Sequence, residues 1–136
     1  MLSVVRRVIN GIAGIGLGTL GIVALTRAGG LGFDRHVDAF GYHHTGLLAW
    51  VELFVAIFFV LAAISGASGG ETMFLGLVVL GFGVVVLVTG NDLHGFLGVH
   101  EDRALIYVVP GGLVTLLGLA TLGEKPPARR PMPGRR

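Results

Sequence analysis

Two short polar stretches of this chain hold all of its histidines and most of its acidic residues. The candidate metal-binding or pH-sensing residues are His36, His43, His44, His94, His100, Asp34 and Asp92. Imidazole and carboxylate groups together suit Zn, Cu(II) or Ni, and histidine also titrates near pH 6.5. No two of these histidines have a recognised ligand spacing such as H-E-x-x-H. Three interpretations stay open: ordinary polar loop residues, a divalent metal site, or a pH-responsive surface.

Glu52 is the single charged residue in an apolar run over residues 45–65. A charged side chain at the centre of a bilayer costs at least about 2.5 kcal/mol, so we expect Glu52 to face other helices. At 1.5 Å per residue it lies roughly 10 Å below the start of its helix. Its candidate partners are Asn10, Thr19, Thr115, a water molecule and a histidine at the helix mouth. Either Glu52 is a neutral acid bonded between helices, or it is a proton relay or ion site.

The elements that position these residues are four long apolar runs. Hydrophobic residues make up 53% of the 136 residues and charged residues 13%, about half of the usual charged fraction. Each run is long enough to cross a bilayer, which takes about 20 apolar residues in a helix. We predict an all-α membrane protein with four transmembrane helices in two hairpins and short loops. The helices are expected at about 4–27, 45–65, 72–90 and 104–122.

The domain organisation follows from these runs and from the basic residues. Residues 1–123 form the transmembrane domain, and residues 124–136 form a basic, proline-rich tail that we expect to be disordered. Seven of the ten basic residues flank the first and last runs: Arg6, Arg7, Lys125, Arg129, Arg130, Arg135 and Arg136. Basic residues favour the cytoplasmic side. This predicts a multi-pass protein of a bacterial plasma membrane with both termini in the cytoplasm.

The two outer connections resemble each other in sequence. Aligning Gly41 with Gly98 also aligns His43 with His100 and Trp50 with Tyr107. A parallel internal repeat would explain the match, and so would chance in a chain of low complexity. Trp50 and Tyr107 are interpreted as interface anchors, because Trp and Tyr concentrate at headgroup level.

The first run carries a stripe of glycines. Gly11, Gly14, Gly18 and Gly21 recur at spacings of three, four and three, so they share one helix face. In lipid, small residues let a neighbouring backbone approach closely. The stripe predicts a helix contact, either within the bundle or with a second protein.

The segments Gly41–Gly66 and Leu93–Ala120 resemble small four-span membrane proteins of GC-rich Gram-positive bacteria, in which a Gly-aromatic-x-His-Thr segment leads into a helix with Leu-x-x-x-Glu. Here Leu48 and Glu52 fit that pattern. The resemblance implies a fold and a compartment, and no chemistry.

The functional expectation is a structural, scaffold or accessory subunit that acts through helix packing, without catalysis, cofactor, nucleic acid or identified small-molecule substrate. Its expected partners are the lipid bilayer and a membrane protein or further copies of itself. The alternatives are the outer metal or pH site, and an oligomeric transporter or proton relay through Glu52. Cysteine is absent, which excludes thiolate chemistry. Haem is disfavoured because the histidines lie at helix mouths.

Overall fold

The chain folds into four helices and one small β-hairpin, which confirms the predicted helical class. The computed structural model describes residues 1–30, 36–97 and 104–123, with the backbone alone for residues 90–97. The elements are α1 (Leu2–Ala28), β1 (Val37–Ala39), β2 (Tyr42–His44), α2 (Gly46–Ser65), α3 (Gly69–Leu97) and α4 (Leu105–Ala120). The predicted tail at 124–136 lies outside the described residues.

Three of the helices, α1, α2 and α3, are long and apolar enough to cross a membrane. The fourth helix is shorter than predicted. It has 16 residues, or about 24 Å at 1.5 Å per residue, against a hydrocarbon core of about 30 Å. Helix α3 is longer than predicted, with 29 residues. It continues past Asp92 and His94, so the prediction that these residues lie in a connection is wrong.

A capping box explains why α3 begins three residues before its predicted start. The Ser68 hydroxyl accepts the Glu71 N–H at 3.2 Å, and the Glu71 carboxylate accepts the Ser68 N–H at 2.6 Å. Such reciprocal bonds satisfy N–H groups that a helix start leaves unpaired. Just before this box, Gly66 ends α2 in the left-handed region with φ 73°. The α2–α3 connection is therefore a tight turn.

The β-hairpin between α1 and α2 was not predicted. Its strands pair antiparallel, with Val37 opposite His44. Phe40 and Gly41 form the two-residue turn with φ values of 55° and 83°, the positive pair that a tight hairpin of this kind requires. The Asp38 carboxylate accepts the Gly41 N–H at 2.7 Å. The Arg27 guanidinium at the end of α1 donates to the Asp38 carbonyl.

The helices form two pairs, as the predicted hairpins require. Helix α1 packs mainly against α2, and α3 packs mainly against α4. The pairs meet where α2 faces α3 and α1 faces α4, so the four helices are arranged in a square. All four helices contribute to the central buried cluster, which comprises Leu17, Leu48, Ala56, Phe59, Val79, Val86, Ala104, Tyr107 and Val114.

The four glycines of the α1 stripe all face α2. A Cβ at Gly14 would lie 2.9 Å from Val60 Cγ2, and a Cβ at Gly21 would lie 2.8 Å from the Ala49 oxygen. Gly18 and Gly11 have more room, with nearest atoms at 3.5 and 3.8 Å. The sequence left two partners open for this stripe, a helix of the same bundle or a second protein. The structure shows a partner within the bundle, helix α2.

The α3–α4 pair is also built on glycines. Gly69, Gly76 and Gly83 recur every seven residues on α3. A Cβ at Gly83 would lie 2.7 Å from the Val108 nitrogen of α4. On α4, a Cβ at Gly118 would fall against the backbone nitrogen of Met73. Both helices therefore approach each other backbone to backbone.

Candidate functional site

Glu52 is buried between the helices, as predicted. It is the seventh residue of α2 and is 3% exposed. Helix α2 begins after Thr45, whose side chain accepts the Leu48 N–H at 3.3 Å. This N-cap fixes the first turn. The carboxylate therefore lies two turns inside the end of the bundle where the β-hairpin sits.

His44 contacts Glu52 from the last residue of β2. Its Nε2 lies 3.1 Å from Glu52 Oε1, and its Nδ1 lies 2.9 Å from the Tyr42 carbonyl oxygen. The imidazole is buried, and 1% of its surface is exposed. Among the candidate partners of Glu52, the structure thus selects a histidine at the helix mouth. Asn10 instead donates to Thr72 on α3 at 3.2 Å.

The hydrogen bonds of His44 limit where its ring protons can lie. A carbonyl oxygen is an acceptor only, so Nδ1 carries a proton toward Tyr42. The bond between Nε2 and Oε1 then contains one further proton. If that proton is on nitrogen, an imidazolium faces a carboxylate, and if it is on oxygen, both groups are neutral. The pair shares one proton at no change in net charge, which lowers the cost of burial.

Tyr107 completes the cluster from α4. Its hydroxyl donates to Glu52 Oε1 at 2.5 Å, and its ring packs edge-on against Phe82 with centroids 4.9 Å apart. The ring is 4% exposed, whereas Trp50 is 44% exposed. The prediction that Tyr107 anchors its helix at the headgroups is therefore wrong, because its ring is buried and its hydroxyl is bonded to a carboxylate. The exposure of Trp50 is compatible with an anchor.

The surroundings of His44 raise its pKa. Burial by itself lowers the pKa of His44, but the hydrogen bond and charge of Glu52 raise it. The Tyr42 carbonyl and the Asp38 charge act in the same direction. The net result is a pKa above the ordinary 6.5. This favours the imidazolium over a wider pH range.

The second carboxylate oxygen of Glu52 lacks a partner among the described residues. Oε2 is buried and accepts no hydrogen bond from them. Glu52 and Tyr107 line a cavity of about 110 Å³. The other lining residues are apolar: Leu17, Leu48, Val51, Val55, Val78, Val79 and Phe82.

The other predicted metal-binding or pH-sensing residues do not join this cluster. His36 and His43 are exposed. Only the backbone of Asp92 and His94 is described, and Asp34 and His100 lie outside the described residues. Among the residues that the structure does describe, no group of three or more acidic or histidine side chains could hold a metal ion. Both ring nitrogens of His44 are already engaged. The outer metal site stays a prediction.

The cluster of Glu52, His44 and Tyr107 connects three elements at one end of the bundle. The sequence indicated two of its members: an acid in an apolar run, and a histidine before it. Tyr107 also carried a signal, a polar hydroxyl in an otherwise apolar run, but it was interpreted as an interface anchor. Comparison with protein families, curated proteins and solved structures finds no match to this chain.

Proposed function

We propose that this chain is a small integral membrane protein that acts without catalysis, as a structural, scaffold or accessory subunit. The supporting observation is an apolar groove of about 510 Å³ between α1 and α4. Gly16 lines it and has open space where a Cβ would stand. The Thr19 hydroxyl, also in the groove, is bonded to the Ile15 carbonyl at 2.7 Å. Gly16 leaves room for a neighbouring helix, and the bonded Thr19 hydroxyl adds no unpaired polar group to the groove. The groove is therefore suited to a helix of a partner protein or of a second copy.

The test is purification in mild detergent with two matched variants. Gly16→Leu fills the groove, whereas Gly81→Leu adds the same side chain at an equally open glycine of α3 that does not line it. We expect a partner helix protein or a second copy to purify with the wild type and with Gly81→Leu, and to be lost in Gly16→Leu. A monomeric wild type without a partner would contradict the proposal.

The compartment belongs to the same proposal: a bacterial plasma membrane with both termini in the cytoplasm. Asn10 bonds Thr72, and Gly69 approaches Thr121. The start of α1 and the end of α4 therefore lie at one end of the bundle, the end that the basic flanks favour inside. Because cysteine is absent, single cysteines can report sidedness. A membrane-impermeant thiol reagent applied outside should label His36→Cys and spare Ser3→Cys, and the reverse pattern would invert the topology.

A second candidate function is proton sensing at the His44 end. The supporting observation is the imidazole held at both nitrogens, by the Tyr42 carbonyl and by Glu52. Among the described residues, the titratable groups near it include Asp38 of β1, Glu52 of α2 and Tyr107 of α4. Loss of the shared proton removes the donor that joins the hairpin to α2. Because Glu52 also accepts a hydrogen bond from Tyr107, the loss of the proton also changes the contact between α2 and α4.

The single tryptophan is a native reporter for this second function. Trp50 lies between His44 and Glu52 in sequence and is partly exposed. We expect a fluorescence transition with a midpoint above pH 6.5 in the wild type and in His43→Gln. The transition should be absent in His44→Gln. A transition that persists in His44→Gln would refute the proton-sensing function and leave the packing function untouched.

A further inference from the structure

We propose that the groove between α2 and α3, beside the turn that joins them, binds one phospholipid with a primary ammonium in its headgroup, phosphatidylethanolamine. The groove has a volume of about 460 Å³. Its lining residues are Phe58, Leu61, Ala62, Ser65, Ala67, Gly70, Glu71, Phe74 and Leu75. The polar side chains among them, Ser65 and Glu71, lie where α2 ends and α3 begins. The groove thus has an apolar body and a polar mouth, as a phospholipid has an acyl chain and a headgroup.

The apolar body of the groove suits an acyl chain. Phe58 lies seven residues before Ser65 on α2, so the groove runs about 10 Å along the helix from its mouth. Phe58, Leu61 and Phe74 are exposed on the outer surface of the bundle, and they belong to helices that are apolar enough to cross a membrane. An apolar cavity of about 150 Å³ holds benzene, so about 460 Å³ has room for roughly one acyl chain.

Glu71 places a negative charge at the mouth of the groove. Its Oε2 accepts the Ser68 N–H at 2.6 Å, and the residue is exposed. Among the described residues, no basic side chain forms an ion pair with it. A primary ammonium can donate to this carboxylate in a charge-assisted hydrogen bond, which is about twice as strong as a neutral one.

Arg7 places a positive charge beside the same mouth. A Cβ at Gly66 would lie 2.9 Å from Arg7 Nε, so the guanidinium packs against the turn between Ser65 and Ala67, which both line the groove. Gly70, also in the lining, is the second residue of α3. The N–H groups of a first helical turn have no acceptor within their own helix. Guanidinium groups and helix N-termini both bind phosphate.

The two charges together favour one headgroup. Phosphatidylethanolamine offers a phosphate to Arg7 and a primary ammonium to Glu71. Phosphatidylglycerol has the same phosphate without a cation, so its headgroup would leave the Glu71 carboxylate unmatched. Phosphatidylcholine has a cation, but its quaternary ammonium has no N–H to donate. Charge complementarity and hydrogen bonding therefore favour phosphatidylethanolamine over both.

The test is native mass spectrometry of the full chain in detergent with an equimolar mixture of the three phospholipids, all with the same acyl chains. Glu71→Gln removes the negative charge and keeps the capping box, because glutamine also serves at this position. Asp38→Asn is the matched control, since it removes an exposed acid at the other end of the bundle. We expect the wild type and Asp38→Asn to bind phosphatidylethanolamine about fivefold more than either other lipid. Glu71→Gln should bind phosphatidylethanolamine and phosphatidylcholine equally.

A second pair of variants tests the groove itself. Gly70→Leu fills the mouth, where the nearest atom to a new Cβ is 3.8 Å away. Gly81→Leu adds the same side chain at an open position of α3 that does not line this groove. We expect Gly81→Leu to bind phosphatidylethanolamine like the wild type, and Gly70→Leu to bind it about fivefold more weakly.

Three outcomes would overturn the proposal. They are equal binding of the three lipids to the wild type, a preference for phosphatidylethanolamine that persists in Glu71→Gln, and equal binding of this lipid to the two glycine variants. The groove of the proposed subunit function lies between α1 and α4, so either proposal can fail alone.

Discussion

The two helix pairs use glycines differently where their helices pack together. In the α1–α2 pair the described close-approach glycines lie on α1, and a Cβ at Gly21 would lie 2.8 Å from the Ala49 oxygen. In the α3–α4 pair both helices contribute, with Gly76 and Gly83 on α3 and Gly118 on α4. The second pair therefore has close-approach glycines on both helices, and its room for any added atom is smaller.

A further difference separates the contacts within pairs from those between them. Within each pair, glycines set the distance between backbones. Between the pairs, side-chain hydrogen bonds of the described residues run along the diagonals of the square: Asn10 to Thr72 at one end, and Tyr107 to Glu52 at the other. Backbone packing thus determines each pair, and polar side chains help to determine how the pairs fit together.

The largest effect is expected at Gly118. In Gly118→Ala the new Cβ would collide with the Met73 backbone, which cannot rotate away as a side chain can. Overpacking of this kind costs about 1–3 kcal/mol and sometimes more, so we expect a loss of stability at the upper end of that range. Chemical unfolding in detergent measures it. Gly112→Ala is the control, because nothing lies within 4 Å of its Cβ.

A smaller loss is expected for Gly21→Ala in the first pair. The new Cβ would lie 2.8 Å from the Ala49 oxygen and 3.1 Å from the Leu53 nitrogen. These are also backbone atoms, but the overlap is smaller than at Gly118. We expect about 1–2 kcal/mol in the same unfolding assay. Gly11→Ala, with its nearest atom at 3.8 Å, should be neutral or stabilising, since alanine favours helix. A loss at Gly21 greater than that at Gly118 would reverse the comparison.

Tyr107→Phe tests the polar contact between the pairs. It removes the donor to Glu52 Oε1 and keeps the ring against Phe82. Hydrogen bonds between membrane helices average about 0.6 kcal/mol and reach about 1.7 kcal/mol, so we expect a loss in this range. A double-mutant cycle with Glu52→Leu isolates the pair, because leucine removes the acceptor. A coupling energy of zero would show that this bond does not hold the pairs together.

The smallest effect is the pH dependence of His44. Its pKa in the folded protein is raised above 6.5, so the stability it contributes is complete below pH 6.5. That contribution is lost as the pH rises through the raised value. The difference in unfolding free energy between wild type and His44→Gln should therefore be greater at pH 6 than at pH 9. A difference that grows with pH would contradict the assignment, and His43→Gln is the exposed control.

Hydropathy predicted the four helices because a spanning helix must be apolar over most of its length. It did not predict the β-hairpin, whose strands have three residues each. Phe40 adopts a positive φ in its turn, which is uncommon for a large side chain. The early start of α3 could be predicted from the Ser68-x-x-Glu71 capping-box motif.

At the site, the sequence indicated that Glu52 faces inward and offered a histidine as one partner. It could not identify Tyr107, because Tyr107 and Trp50 have the same place in the two aligned connections. The structure separates them through burial, which depends on how α4 is rotated against α3. Gly83 of α3 and Gly111 and Gly118 of α4 lie at this contact. The sequence shows a seven-residue spacing between Gly76 and Gly83 and between Gly111 and Gly118.

The close packing inside each pair has a consequence for how the chain is made. Helix α1 finds its main partner in α2, the next helix to be synthesised. The first pair can therefore leave the translocation machinery as a closed hairpin before α3 is complete. The second pair can follow in the same way. The diagonal hydrogen bonds join residues of different pairs, so they can form only when the two halves meet.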